Sequence, residues 1–175
     1  SEHEPFHTEW DTNTFQEQEY EWYGVISDSS DQKYEFYTHI NVDRTPPSIQ
    51  IVSPKENSIF QNEVDISLLA NDNIALDLVE LFIDNISKST VSVKEMHYIW
   101  NAETAVSGQH TIKAKALDKA GFVTEIKTSI TLDRFPSIEF VSPKDLQTVS
   151  GIITITAFVK DDIQIKKQEL FIDNI

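Results

Sequence analysis

Apolar and polar residues alternate along most of the chain. Val64-Asp65-Ile66-Ser67-Leu68 places three apolar side chains on one face and two polar ones on the other, the period of a half-buried strand. Val79, Leu81 and Ile83 do the same in Val79–Asp84. So do Met96, Tyr98 and Trp100, then Ile112, Ala114 and Ala116 opposite Lys113 and Lys115, then Glu125–Leu132. With Ile49–Val52 these make six predicted strands, and Ser87–Val93 predicts a short seventh. Turn formers separate them: Ser53-Pro54-Lys55-Glu56-Asn57, Asn71-Asp72-Asn73, Ser107-Gly108 and Lys119-Ala120-Gly121. No segment carries a helical period. Seven short strands at this spacing predict an all-β sandwich of the Ig-like kind.

The pattern also repeats. Glu80-Leu81-Phe82-Ile83-Asp84-Asn85-Ile86 recurs as Glu169-Leu170-Phe171-Ile172-Asp173-Asn174-Ile175, 89 positions on. Asp43-Arg44-Thr45-Pro46-Pro47-Ser48-Ile49 returns as Asp133-Arg134-Phe135-Pro136-Ser137-Ile138, one residue shorter. Trp10 to Arg44 matches Trp100 to Arg134 without a gap at an offset of 90. Self-similarity at a fixed period marks a chain built from repeated units. Three parts are expected: 1–43 as the C-terminal half of a unit, 44–133 as a complete unit of about 90 residues, and 134–175 as the N-terminal half of another. Joining residue 175 to residue 1 restores a unit lacking only the equivalents of 87–90. Two origins for the halves stay open: a segment cut from a longer array, or half-units that complete one another between copies of the chain by strand complementation, which builds a head-to-tail filament. In the second case Glu169, Leu170, Phe171, Ile172, Trp10 and Trp22 are the expected self-association residues.

Composition narrows the function. The net charge is −15, with 29 acidic against 14 basic residues, which argues against nucleic acid as a partner. There is no cysteine, so neither a disulfide framework nor a thiolate metal site is available. No stretch reads as a membrane-spanning helix or a signal peptide, and the chain reads as a mature or excised segment.

The order Asp43-Arg44-Thr45-Pro46-Pro47-x-Ile49-x-Ile51-x-x-Pro54, Ala70-x-Asp72-Asn73, Val79–Asp84, Trp100-Asn101 and Gly108-x-His110-x-Ile112-x-Ala114-x-Ala116-x-Asp118-x-Ala120-Gly121 resembles the bacterial Ig-like domains found in tandem on secreted and cell-surface proteins. The match departs at Phe122, where an asparagine is usual. The resemblance implies a spacer, stalk or adhesive module outside the cell, with catalysis left to other domains.

Candidate chemistry is sparse. The arginines Arg44 and Arg134 each follow an aspartate, Asp43 or Asp133, and precede prolines, Pro46 and Pro47 or Pro136. These residues are expected to form interdomain joints, with each arginine paired to a carboxylate of the following unit and proline stiffening the backbone. Asp28 and Asp118 precede hairpin turns and are expected to accept turn N–H groups. Asp72, Asp77, Asp161 and Asp162 are candidate calcium ligands near the joints; no other cofactor is indicated. Trp10 and Trp100 are expected as core residues of equivalent strands. Tyr20, Trp22, Tyr23, Tyr34, Phe36 and Tyr37 enrich the first segment in aromatics, either as larger core side chains or as a carbohydrate-binding platform attached to a secreted enzyme. The five histidines form no metal signature, and no nucleophile elbow, phosphate loop or dinucleotide fingerprint occurs. The expected function is therefore non-enzymatic.

Overall fold

The computed structural model describes residues 7–173. After a 3-10 turn at Thr12–Thr14 come twelve strands: β1 (Gln18–Ser27), β2 (Lys33–Val42), β3 (Ser48–Ser53), β4 (Ser58–Phe60), β5 (Glu63–Asn71), β6 (Leu76–Ile83), β7 (Ile86–Val91), β8 (Glu95–Asn101), β9 (Gly108–Asp118), β10 (Val123–Leu132), β11 (Ser137–Ser142) and β12 (Thr156–Lys160).

Strands β3 to β10 form the sandwich. One sheet has the order β4-β10-β9-β6-β7 and the other β3-β5-β8. The alternating residues meet between them. Val64, Ile66, Leu68 and Ala70 of β5 join Met96 and Trp100 of β8 on one side. Val79, Leu81 and Ile83 of β6, Ile112, Ala114 and Ala116 of β9, and Ile130 and Leu132 of β10 close the other. Burying apolar area at about 25 cal/mol per Å² is what holds the two layers together. The all-β sandwich expected from the pattern is the fold observed. Its eighth strand, β4, was not expected. It has three residues, too few for a period to register, and is recruited by parallel pairing of Ser58–Phe60 with Ile130–Leu132.

The flanking strands reproduce parts of this sandwich. β1 and β2 pair from Gln18↔Val42 to Ser27↔Lys33, and β9 and β10 pair from Gly108↔Leu132 to Leu117↔Val123. Each partner differs by 90 positions. β11 pairs with β12 as β3 does with β5, down to an irregularity between Phe140 and Ser142 that matches the one between Ile51 and Ser53.

Neither flanking pair has an opposing sheet among the described residues. Ile26 is 62% exposed, whereas Ala116 at the equivalent place is 0% exposed. Trp10 differs from the expectation as well. Trp100 lies in β8 and is buried, but Trp10 lies in no strand and is half-buried. The segment holding Trp10 has no counterpart of β5 to pair with, so its indole packs instead on Phe15, Tyr20 and Trp22. Likewise Glu169, Leu170, Phe171 and Ile172 form no strand. Their equivalents in β6 are held between β9 and β7, and the described residues offer 169–172 no such neighbours. Residues 174 and 175, which end the repeated heptapeptide, lie outside the described residues, as does His3.

Candidate functional site

The prolines at 46, 47 and 136 cannot donate to a strand ladder, so the chain leaves one sheet and enters the next at 43–47 and 133–136. Side chains from both directions converge on these two joints.

At the first joint Arg44 reaches back. Its guanidinium donates to the carbonyls of Thr12 (2.9 Å) and Phe15 (2.8 Å), and its Nε lies 3.9 Å from Glu17 Oε1. The backbone N–H of Arg44 also donates to Glu17, at 2.8 Å. Glu17 Oε2 accepts from the Thr45 hydroxyl (2.7 Å) and from the Asn73 amide (2.8 Å). The Thr45 hydroxyl first, then the N–H and charge of Arg44 and the Asn73 amide, together hold the Glu17 carboxyl below its ordinary value against an opposing effect of burial second in size only to that of Thr45.

The second joint is built on equivalent positions. Arg134 donates to the carbonyls of Ala102 (3.3 Å), Glu103 (3.0 Å) and Ala105 (2.7 Å). Ala102 and Ala105 stand 90 positions after Thr12 and Phe15. Its guanidinium also donates to the Ser107 hydroxyl, which in turn donates to Asp162, and Arg134 lies 3.4 Å from the same carboxylate. Ser107 and Arg134 hold the Asp162 carboxyl below its ordinary value. The expectation that each arginine pairs with the following unit is corrected at the first joint. Arg44 pairs with Glu17, which precedes it, because position 73 there carries an uncharged amide.

The acidic residues gather at the same joints. Asp43, Asp72 and Asp118 offer carboxylate oxygens within 4.8 Å of one another, and so do Asp133, Asp161 and Asp162. Pairing of Leu76 with Asp118, and a bond from the Lys119 N–H to the Ala75 carbonyl (3.0 Å), bring the 71–75 loop beside the end of β9. Asp77 is not part of the cluster. It is the residue left over where β6 slips against β9 between Leu76 and Leu78. Asp28 accepts from the N–H groups of Ser30 and Gln32 at its turn, and Asp118 from Phe122.

The aromatic residues of the first segment divide between two faces of the β1–β2 hairpin and form no single platform. Tyr20 and Trp22 occupy the positions of His110 and Ile112, the inner face. Phe36 lies over Gly24, where an added Cβ would collide with its ring. Tyr23 and Tyr37 pair on the outer face with ring centroids 5.0 Å apart, at the positions held by Lys113 and Lys127 in the sandwich.

A family model described as bacterial Ig domain matches residues 47–114 and 136–175, together more than half of the chain. The chain belongs to the bacterial Ig domain family. The two matched stretches start at corresponding places, the last proline of each joint. No curated protein matches the chain. Among solved structures it is similar to the fibronectin(III)-like modules of Clostridium thermocellum CbhA, at 21% identity and a TM-score of 0.45, over 66% of this chain and 63% of that one. It is also similar to the endo-beta-1,4-mannanase of Thermotoga petrophila, at 9% identity and a TM-score of 0.43, over 53% of this chain and 21% of that one. The chain thus spans under two thirds of the length of either. No helix among the described residues is long and apolar enough to cross a membrane.

The sequence points to the arginines and shows Asn73 and Ser107 as turn residues, but gives Glu17 no role at the joint. The signal was present in the repeat: Glu17 and Asn73 answer to Ser107 and Asp162, so of these two places one is acidic at each joint while its position changes.

Proposed function

We propose that this bacterial Ig domain chain is a non-enzymatic spacer of an extracellular or cell-surface protein, in which successive sandwiches are locked at their joints. The division into a C-terminal half (1–43), a complete domain (44–133) and an N-terminal half (134–175) is part of this reading. The observation that carries it is the arginine plug. Two arginines 90 positions apart enter equivalent loops of the preceding unit and bond to equivalent carbonyls. A side chain fixed by two hydrogen bonds and an ion pair, as Arg44 is, or by five hydrogen bonds, as Arg134 is, leaves a joint little freedom to bend, which suits a module whose task is to hold distance. Small-angle scattering of the chain tests this: an elongated particle of one maximum dimension is expected, and a profile that needs a broad ensemble of bend angles contradicts it.

Within this reading, the apolar inner faces of β1–β2 and β11–β12 are covered by strands of neighbouring Ig domains, either in one long array or between copies of this chain assembled head to tail. Light scattering separates the two: mass growing with concentration supports assembly, and a strictly monomeric, fully folded species of 20.0 kDa contradicts it.

The outer pair Tyr23–Tyr37 favours a second reading, a carbohydrate-binding or adhesive module. Exposed aromatic rings at positions that carry lysines in the sandwich stabilise nothing in the core. Glycan binding lost in Tyr23→Ala and Tyr37→Ala but retained in Trp22→Ala would support that role, and absence of binding across a glycan array would remove it.

A further inference from the structure

The carboxylates of Asp43, Asp72 and Asp118 are bonded on one side only. Asp43 Oδ1 accepts from the Thr45 N–H (3.2 Å), Asp72 Oδ2 from Ile74 and Ala75 (2.8 Å each), and Asp118 Oδ1 from Phe122 (2.9 Å). These bonds fix the three groups in place. The remaining oxygens of Asp72 and Asp118 are buried without a hydrogen-bond partner. Asp118 is 1% exposed, so water cannot reach its free oxygen as it would at a surface carboxylate. A buried polar atom left unpaired is destabilising, and more so when charged. Among the described residues none of the three makes a salt bridge, and the nearby Arg44 is turned to Glu17.

We infer that Asp43, Asp72 and Asp118 form a divalent-cation site at the first joint, and that its ligand is Ca²⁺. Three carboxylates offer hard oxygen donors. Their oxygens lie within 4.8 Å of one another, close enough to share one ion, and a set of three carboxylates suits Ca²⁺, whereas Mg²⁺ is usually held by one or two carboxylates and keeps several waters. Ca²⁺ completes its shell of roughly 6–8 oxygens with carbonyls and water. Asp43 belongs to the chain between two sheets, whereas Asp72 and Asp118 belong to the sandwich, so the ion ties the joint to the domain body. The cluster of Asp133, Asp161 and Asp162 contains no buried unpartnered oxygen and carries no such inference.

The test is Ca²⁺ titration of the whole chain by calorimetry and thermal melting. Binding in the range usual for extracellular modules, a Kd on the order of 10⁻⁴ M, is expected. Saturating Ca²⁺ should raise the melting temperature of the sandwich by about 5–10 °C. Asp118→Asn keeps the turn acceptor for Phe122 and removes the charge, so Ca²⁺ affinity should fall at least tenfold. Asp72→Asn guards against a folding defect at position 118 and should give the same loss. Asp77→Asn should leave the response unchanged. The inference is overturned if Ca²⁺ gives no heat and no shift, if sodium at matched ionic strength gives the same shift, or if both variants bind as the parent does. Binding is read directly, so this inference and the spacer reading can fail separately.

Discussion

At the first joint the carboxylate that meets the arginine comes from the segment before it, Glu17; at the second it comes from the segment after it, Asp162. The facing residue changes in step, from Asn73 to Ser107, so each joint keeps one acid and one neutral hydrogen-bonding partner. In both, the backbone N–H of the arginine also bonds to that carboxylate. The acid thus fills one place in space from two opposite directions. What the joint requires is a negative charge beside the arginine and a set of carbonyls for its N–H groups, and which unit supplies the charge is free to vary.

The largest expected effect distinguishes the loops that the arginines enter. Arg134 bonds to three carbonyls that follow β8, inside the sandwich, whereas Arg44 bonds to carbonyls of the N-terminal segment. Arg134→Ala should therefore lower the stability of the sandwich by about 1–3 kcal/mol, the usual cost of losing hydrogen bonds to a charged group. Arg44→Ala should leave the sandwich transition nearly in place. Chemical denaturation followed by Trp100 fluorescence measures both, and equal losses would break the distinction.

A smaller effect tests the exchange itself. Glu17→Ser should loosen the first joint, and adding Asn73→Asp should restore it by installing the arrangement of the second. Amide hydrogen exchange at Arg44 and Thr45 reports the outcome. Failure of the double variant to recover protection would show that the two joints are not interchangeable.

The smallest effect is in pH. Glu17 and Asp162 both have lowered folded values. Each contributes stability that is present above its unfolded value and lost as pH falls through the folded one. A glutamate starts from a higher unfolded value than an aspartate, so on acidification the first joint should begin to loosen before the second. Exchange protection of Arg44 and Arg134 between about pH 5 and 3 reads this order.

Period-two alternation made the sandwich legible, because Ile66, Leu81, Ile112 and their neighbours are buried by the geometry that spaces them. β4 was not, since three residues leave no period and its pairing is parallel and non-local. The repeat showed which positions correspond, and so placed Arg44 with Arg134. It did not show in which direction each arginine turns, because that depends on Glu17 and Asn73, far from it in sequence. Asp72 was visible as a loop carboxylate. Asp118 read as a turn residue, which its Oδ1 is. Its place beside Asp72 depends on β9 ending next to the 71–75 loop, a pairing remote in sequence. Trp10 misled, because identity at an equivalent position does not supply the partner strands that bury Trp100.

A distance distribution across the first joint tests the central claim most directly. Spin labels at Ser30, in the β1–β2 turn, and Ser89, in β7, report the angle between the hairpin and the sandwich by pulsed electron resonance. A locked joint predicts a single narrow distribution that broadens in Arg44→Ala. A parent chain already as broad as that variant would contradict it.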